Sequence, residues 1–176
     1  MSKKNKSSSD GSIIYGVLII SVIVILGLGI LFFGGDSSSN AELEMTTGAQ
    51  FQADITKHDW GDIDINGGKV SQTFEFKNVG VETLNVTGIE TSCMCTTASI
   101  TINGESSPDY SMDHGSGRNK TWIGEVASGE TASLEVEFDP LFHGPNGFGP
   151  ITRTVTFVTN DASNPTVEFR LSGKVI

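Results

Sequence analysis

From residue 51 to the end of the chain, apolar side chains recur at every second position in short runs separated by Gly, Asn, Asp and Pro. A period of two marks strands with one buried and one wet face, because successive strand side chains point to opposite sides. Val70, Thr73/Phe74 and Phe76 carry the pattern in KVSQTFEFKNVG, and Leu84, Val86 and Ile89 carry it in ETLNVTGIETS. Leu134, Val136 and Phe138 alternate with Glu135 and Glu137; Val155, Phe157 and Thr159 form a further run; Val167, Phe169 and Leu171 alternate with Glu168 and Arg170. With an opening strand near 51–55 and another after Cys95, about seven strands are predicted. No amphipathic helix is readable after residue 36. Sheets that each bury one face, with no helices to cover them, pack on each other. The predicted fold is therefore all-β, an immunoglobulin-like sandwich over residues 49–176.

The first forty residues follow a different rule. Lys3, Lys4 and Lys6 precede an apolar run from Ile13 to Phe33, 21 residues without a charge. As a helix this run is about 31 Å long, against roughly 30 Å for the hydrocarbon core of a bilayer. A secretory signal peptide has a shorter apolar centre, and Phe32-Phe33-Gly34-Gly35-Asp36 offers bulky aromatics where a peptidase needs small residues. No Cys follows the run to carry a lipid. The expected layout is a basic cytoplasmic tail (1–12), one transmembrane helix (13–33), a flexible Gly/Ser-rich tether (34–48) and the sandwich domain. The lysines hold the N-terminus in the cytoplasm, so the domain is displayed outside a cell membrane that the chain crosses once.

Charge narrows the partners. The chain has 21 acidic and 11 basic residues; one acidic and three basic ones precede the apolar run, leaving 20 and 8 beyond it. A surface so acidic repels phosphate backbones, which disfavours nucleic acid and docking onto anionic lipid. A solvated exported surface accounts for the charge as well as a cation- or base-attracting one does.

One stretch breaks the strand rhythm. Residues 103–121, NGESSPDYSMDHGSGRNKT, are polar, rich in Gly and Ser, and long for a connection. They read as an inserted loop, exposed and mobile rather than an ordered binding loop.

Candidate chemistry centres on Cys93-Met94-Cys95, which holds both cysteines of the chain. On an extended strand residues i and i+2 stand about 7 Å apart, whereas a disulfide brings Cβ atoms to about 3.8 Å, so a bridge here requires a turn. Three states are open: free thiols partly buried in the sandwich, a soft-metal site for Cu(I) or zinc, or a strained or intermolecular redox pair. The metal reading draws on Met112 and His114 in the inserted loop and His143 in a second Gly/Pro-rich loop. Thiolate, thioether and imidazole are the ligands a cuprous ion prefers.

Other motifs fall short. Asp62-Ile63-Asp64-Ile65-Asn66-Gly67 begins like a calcium loop, but position twelve is Thr73 instead of a bidentate Glu, and a strand running into a hairpin turn explains it better. There is no phosphate-cradling Gly-Lys-Ser/Thr loop, no His-Glu-x-x-His and no Gly-x-Ser-x-Gly elbow, and a trio of Cys93, His58 and Asp59 is a coincidence of letters. Asn85-Val-Thr87 and Asn119-Lys-Thr121 satisfy the glycosylation sequon, which matters only in a host that glycosylates exported Asn.

Residues 58–97 resemble the bacterial domain-of-unknown-function family numbered 1573, an immunoglobulin-like group related to the Hydin and abnormal-spindle domains. The resemblance rests on His58-Asp59-Trp60-Gly61-Asp62-Ile63, Phe74-Glu75-Phe76-Lys77-Asn78-Val79-Gly80, Leu84-Asn85-Val86 and Ser92-Cys93-Met94-Cys95-Thr96. Downstream, Ser128-Gly129-Glu130, Val136-Glu137-Phe138-Asp139, Val158-Thr159-Asn160-Asp161 and Leu171-Ser172-Gly173-Lys174-Val175 are similar too. It implies a β-sandwich and no particular activity. The chain departs from the family pattern at Met94, where Gly is usual, and in its 103–121 insertion. The function expected is that of a non-enzymatic cell-envelope domain binding or scaffolding a protein partner; the alternative is an extracytoplasmic copper, zinc or thiol-redox protein built on Cys93 and Cys95.

Overall fold

The computed structural model describes residues 43–115, 119 and 121–176. The predicted tail, the transmembrane helix at 13–33 and most of the tether lie outside the described residues. Among those described, no helix is long and apolar enough to cross a membrane.

Residues 40–176 form one compact unit. Its strands are β1 (Phe51–Gln52), β2 (Lys57–Ile63), β3 (Val70–Asn78), β4 (Leu84–Thr91), β5 (Thr96–Ile102), β6 (Glu105–Ser106), β7 (Ile123–Val126), β8 (Thr131–Phe138), β9 (Gly149–Thr159) and β10 (Thr166–Val175). They make two five-stranded sheets, ordered β1-β3-β8-β5-β6 and β2-β10-β9-β4-β7. All pairings are antiparallel except β2 with β10, which is parallel. One sheet thus holds the first, second, fifth and fourth strands of an immunoglobulin sandwich and the other its third, sixth and seventh, with β2 a switched continuation of the first strand.

The alternation seen in the sequence becomes the core. Phe74, Phe76, Leu134 and Val136 from one sheet face Leu84, Val86, Phe157, Phe169 and Leu171 from the other, all at most 2% exposed. Phe157 sits at the centre of an aromatic cluster, 5.4 Å from the Phe76 ring and 6.0 Å from the Phe169 ring. Such rings supply most of the buried apolar area of a small sandwich.

The structure differs from the sequence expectations in four places. First, the described residues hold ten strands, because β6 and β7 add to the seven and the opening strand divides. Only Phe51–Gln52 pairs with β3; the chain then crosses at 53–56 and lies along β10 as β2. Second, β2 and β3 are no hairpin, since they sit in different sheets. Asp64 turns the chain between sheets by accepting the amides of Asn66, at its side chain, and Gly67, at its carbonyl, both at 2.9 Å. Third, the inserted loop is ordered along β5 in its first half. Asn103 and Gly104, with φ of 52° and 83°, form the two-residue turn from β5 to β6. Beyond it, Ala98 and Tyr110 exchange both backbone hydrogen bonds, at 2.8 and 2.9 Å, and Tyr110 is buried. Fourth, residues assigned to the tether are bonded into the domain. Thr46 pairs with Asp161, its amide donating to the Asn160 carbonyl at 2.8 Å, and Gly48 accepts the amides of Val81 and Glu82.

Candidate functional site

The cysteine segment lies where β4 hands over to β5, at the end of the sandwich that also holds the end of β8 and the start of β9. Thr91 makes the local bend: its hydroxyl bonds the Cys93 and Thr96 carbonyls at 2.8 and 3.0 Å, and the Thr96 amide donates to the Cys93 carbonyl at 3.1 Å. This is a turn instead of an extended strand. It draws the two Cα atoms to 5.2 Å, and the sulfurs are bonded to each other as a disulfide.

The two sulfurs have unequal surroundings. Cys95 is buried, 3% exposed, against Ile63, Ile65, Phe138 and Val175. The Arg153 Nε donates to its Sγ at 3.2 Å. The guanidinium is held there by its own Nη1 hydrogen bond to the Thr152 carbonyl at 2.8 Å and by the Phe138 ring, 5.2 Å away. Trp60 stacks on the same ring, centroids 5.8 Å apart. Burial lowers the Arg153 pKa from its ordinary value, yet a guanidinium stays charged at neutral pH. Cys93, by contrast, is half-buried, and its Sγ lies 3.5 Å from Nε2 of the exposed His143.

Of the five residues singled out as metal ligands, three converge: Cys93 Sγ, Cys95 Sγ and His143 Nε2 lie within 4.8 Å of one another. Met112 and His114 are elsewhere. They line a separate depression of about 400 Å³ beside Met94 and Tyr110, where His114 Nε2 approaches the Met94 sulfur at 3.3 Å. A metal held by the first group needs thiolates, so the disulfide would have to be reduced before copper or zinc could bind. His58 and Asp59 face a third region, with Thr152, Arg170 and Ser172.

Arg153 escaped sequence reasoning although a signal for it exists. It shares the parity of Ile151, Val155 and Phe157, so a charged residue occupies an inward-facing register position of β9.

A second candidate site is the outer edge of β3. The Asn78 amide donates to the Glu130 carbonyl on the β8 side and the Val79 amide to the Gln50 carbonyl on the β1 side. Alternation then points the backbone groups of Ser71, Thr73 and Glu75 away from β8. β1 covers only Lys77 and Asn78. Beside the uncovered stretch runs a groove of about 380 Å³, floored by Phe74 and Phe76 and flanked by Ala53 and Ile55, the last 64% exposed.

The profile of the family described as "Protein of unknown function (DUF1573)" matches residues 51–107. No curated protein sequence matches the chain. Among solved structures, a protein of unknown function from Porphyromonas gingivalis W83 superposes with a TM-score of 0.53 at 18% identity, over 74% of this chain and 49% of that one. This chain thus spans about half of that protein's length. The ASH/PapD-like domain 7 of human CEP192 matches with a TM-score of 0.42 and 15% identity, over 81% of this chain and 97% of that one. The YadV chaperone matches at 0.41 and 7% identity, over 73% of this chain and 52% of that one.

Proposed function

We propose that this chain is a non-enzymatic, single-pass protein of the cell envelope whose exported sandwich binds an extended segment of a partner protein along the outer edge of β3. The observation that carries the reading is that open edge: no strand pairs with the outward backbone groups of Thr73 and Glu75 beside an apolar-floored groove, and side chains alone cap it, Gln72 donating to the Thr73 carbonyl at 2.7 Å and Trp60 to the Ser71 carbonyl at 3.4 Å. A strand added there continues β1, gaining main-chain hydrogen bonds from the edge and side-chain contacts in the groove. Natural sheets usually cover or blunt such an edge, because it invites pairing. Its side chains Ser71, Thr73 and Glu75 are exposed and short of positive charge, which suits a neutral or basic strand. The anchor and the outward orientation rest on the apolar run at 13–33 and the three lysines before it.

A photo-crosslinking residue at Thr73 in the full-length chain, irradiated in its own cells, should give a discrete adduct. Glu75→Pro, which deletes one outward N–H and leaves the bonds to β8, should abolish that adduct. Equal adducts from Glu125 on β7, the exposed edge of the other sheet, or no effect of the proline, would overturn the edge as the binding surface. Protease added to spheroplasts should digest the domain; protection would overturn its outward display.

A further inference from the structure

We infer that the Cys93–Cys95 disulfide exchanges electrons with a dithiol protein that docks on this end of the sandwich, Cys93 being the sulfur attacked and Cys95 the sulfur that leaves. This site is separate from the β3 edge and its test is independent of the strand-addition reading.

The inference rests on the asymmetry of one bond. Thiol-disulfide exchange needs an accessible sulfur to attack and a partner sulfur whose developing negative charge is stabilised. Cys93 meets the first condition, half-buried with the exposed His143 imidazole 3.5 Å from its sulfur. Cys95 meets the second: its sulfur is shut away from water and accepts a hydrogen bond from a guanidinium at 3.2 Å. A cation beside a sulfur favours the thiolate. No carboxylate bonds Arg153 among the described contacts; its charge is directed at the sulfur and the Phe138 ring.

A thiolate of the partner attacks Cys93 Sγ, the bond to Cys95 breaks, and its electron pair stays on Cys95 Sγ against Arg153. The partner's second thiolate then attacks its own sulfur in the mixed disulfide, and Cys93 leaves as a thiolate beside His143. The partner gives up two electrons and the two protons of its thiols; Cys93 and Cys95 take up the electrons as thiolates and then protons, with His143 placed to pass one to Cys93. Run backwards, the same step oxidises this chain and reduces the partner.

The surroundings of the disulfide indicate that the partner is a protein. Met94 is 51% exposed, and the loop that carries His143 exposes Leu141 at 44%, Phe142 at 49% and Phe148 at 59%. Phe142 packs edge-on against the His143 ring at 5.3 Å. Met94 between the two cysteines, and Leu141, Phe142 and Phe148 on the loop that brings His143 to them, give this end of the sandwich an exposed apolar rim for docking. A small charged thiol gains nothing from them.

The test uses the oxidised full-length chain with two reducing probes, dithiothreitol and purified thioredoxin, and with a trap, thioredoxin whose second active-site cysteine is replaced by Ser so that the reaction stops at the mixed disulfide. Mass spectrometry of the trapped thioredoxin adduct should place it on Cys93. Arg153→Gln should slow reduction by dithiothreitol about tenfold, as the loss of a charge-assisted hydrogen bond in the leaving step implies, while Arg153→Lys retains most of the rate. Phe148→Ser should slow reduction by thioredoxin by a larger factor than reduction by dithiothreitol, a split that a general loss of structure would not produce; equal slowing of both would overturn the docking rim. An adduct on Cys95, a disulfide that neither probe reduces, or equal rates for wild type and Arg153→Gln would overturn the inference. So would a reduced chain that retains copper or zinc in stoichiometric amount and resists reoxidation, since the pair would then be a metal site.

Discussion

Replacing Asp161 by Asn tests how the domain holds its N-terminal segment. The carboxylate is 1% exposed. It accepts the Phe51 amide at 2.9 Å, the Ser163 amide at 2.8 Å and the Asn164 side-chain amide at 2.9 Å. Burial alone would raise its pKa, but the hydrogen bonds from Asn164, Phe51 and Ser163 outweigh burial and hold it below the ordinary carboxyl value. In Asp161→Asn one oxygen still serves Ser163, while the new NH2 meets the Phe51 and Asn164 donors head-on. Losing bonds to a charged acceptor and stranding their donors costs about 2–3 kcal/mol. For a domain of this size that is roughly 6–12 °C in Tm. The sign of the pH dependence follows from the depressed folded value. The wild-type carboxylate contributes its stability above the unfolded pKa, near 3.8, and loses it as pH falls through the lower folded pKa. Asn cannot titrate, so the gap between variant and wild type should be full at pH 7 and narrow below about pH 4. Urea titrations of the full-length chain, followed by the fluorescence of the half-buried Trp60 and Trp122, measure both quantities. A gap under about 0.5 kcal/mol at pH 7, far below what such bonds contribute, or one that stays constant into acid, would refute the account.

Three further changes probe other parts of the fold. Phe157→Ala empties the centre of the aromatic cluster and should cost about 3–5 kcal/mol by urea titration; a loss under 1 kcal/mol would mean the two sheets collapse to fill the space. Gly80→Ala places a Cβ against the Gly48 carbonyl and 2.6 Å from the Gln50 amide nitrogen, so it should cost about 1–3 kcal/mol and speed hydrogen exchange at Val81 and Glu82, which bond Gly48. Asn103→Val forces a β-branched residue to a φ of 52°, and should cost about 1–2 kcal/mol while loosening the Ala98–Tyr110 pairing, read by exchange at those two amides.

The contrast between two Asn-Gly pairs explains what the sequence could and could not reveal. Asn66-Gly67 reads as a hairpin turn and is not one; Asn103-Gly104 opens a stretch that reads as loop and is the hairpin. Local chemistry is alike at both. What separates them is whether the flanking strands share a sheet, and that is decided by β2 pairing with β10, more than a hundred residues away. The buried faces of β3, β4, β8, β9 and β10 were legible because burial imposes a period of two on each strand by itself. The candidate site was legible in its residue types and partly in its members. Cys93, Cys95 and His143 meet, whereas Met112 and His114, spaced for one face of a strand, belong to a different depression that Met94 helps to line. The disulfide depended on a turn that Thr91 makes through its hydroxyl, a contact that no alternation pattern contains.

The clasp of Thr46 on Asp161 has a mechanical consequence. The chain joins the sandwich where β3 ends and β9 turns into β10, whereas the cysteine turn sits where β3 begins and β8 ends. Nine residues of β3 separate the two ends, a span of about 30 Å. Tension applied from the N-terminal side is therefore borne first by the backbone bonds of Thr46 and Gly48, in series with Phe51 on Asp161. They do not yield alone: drawing out this segment also pulls buried Ala49 and the Phe51 ring, 5.4 Å from Phe76 and 5.9 Å from Phe157, out of the core. The clasp thus ties mechanical load to the aromatic core at the end of the sandwich opposite the cysteine turn, so a pull that opens it is felt among the rings before it reaches the sulfurs.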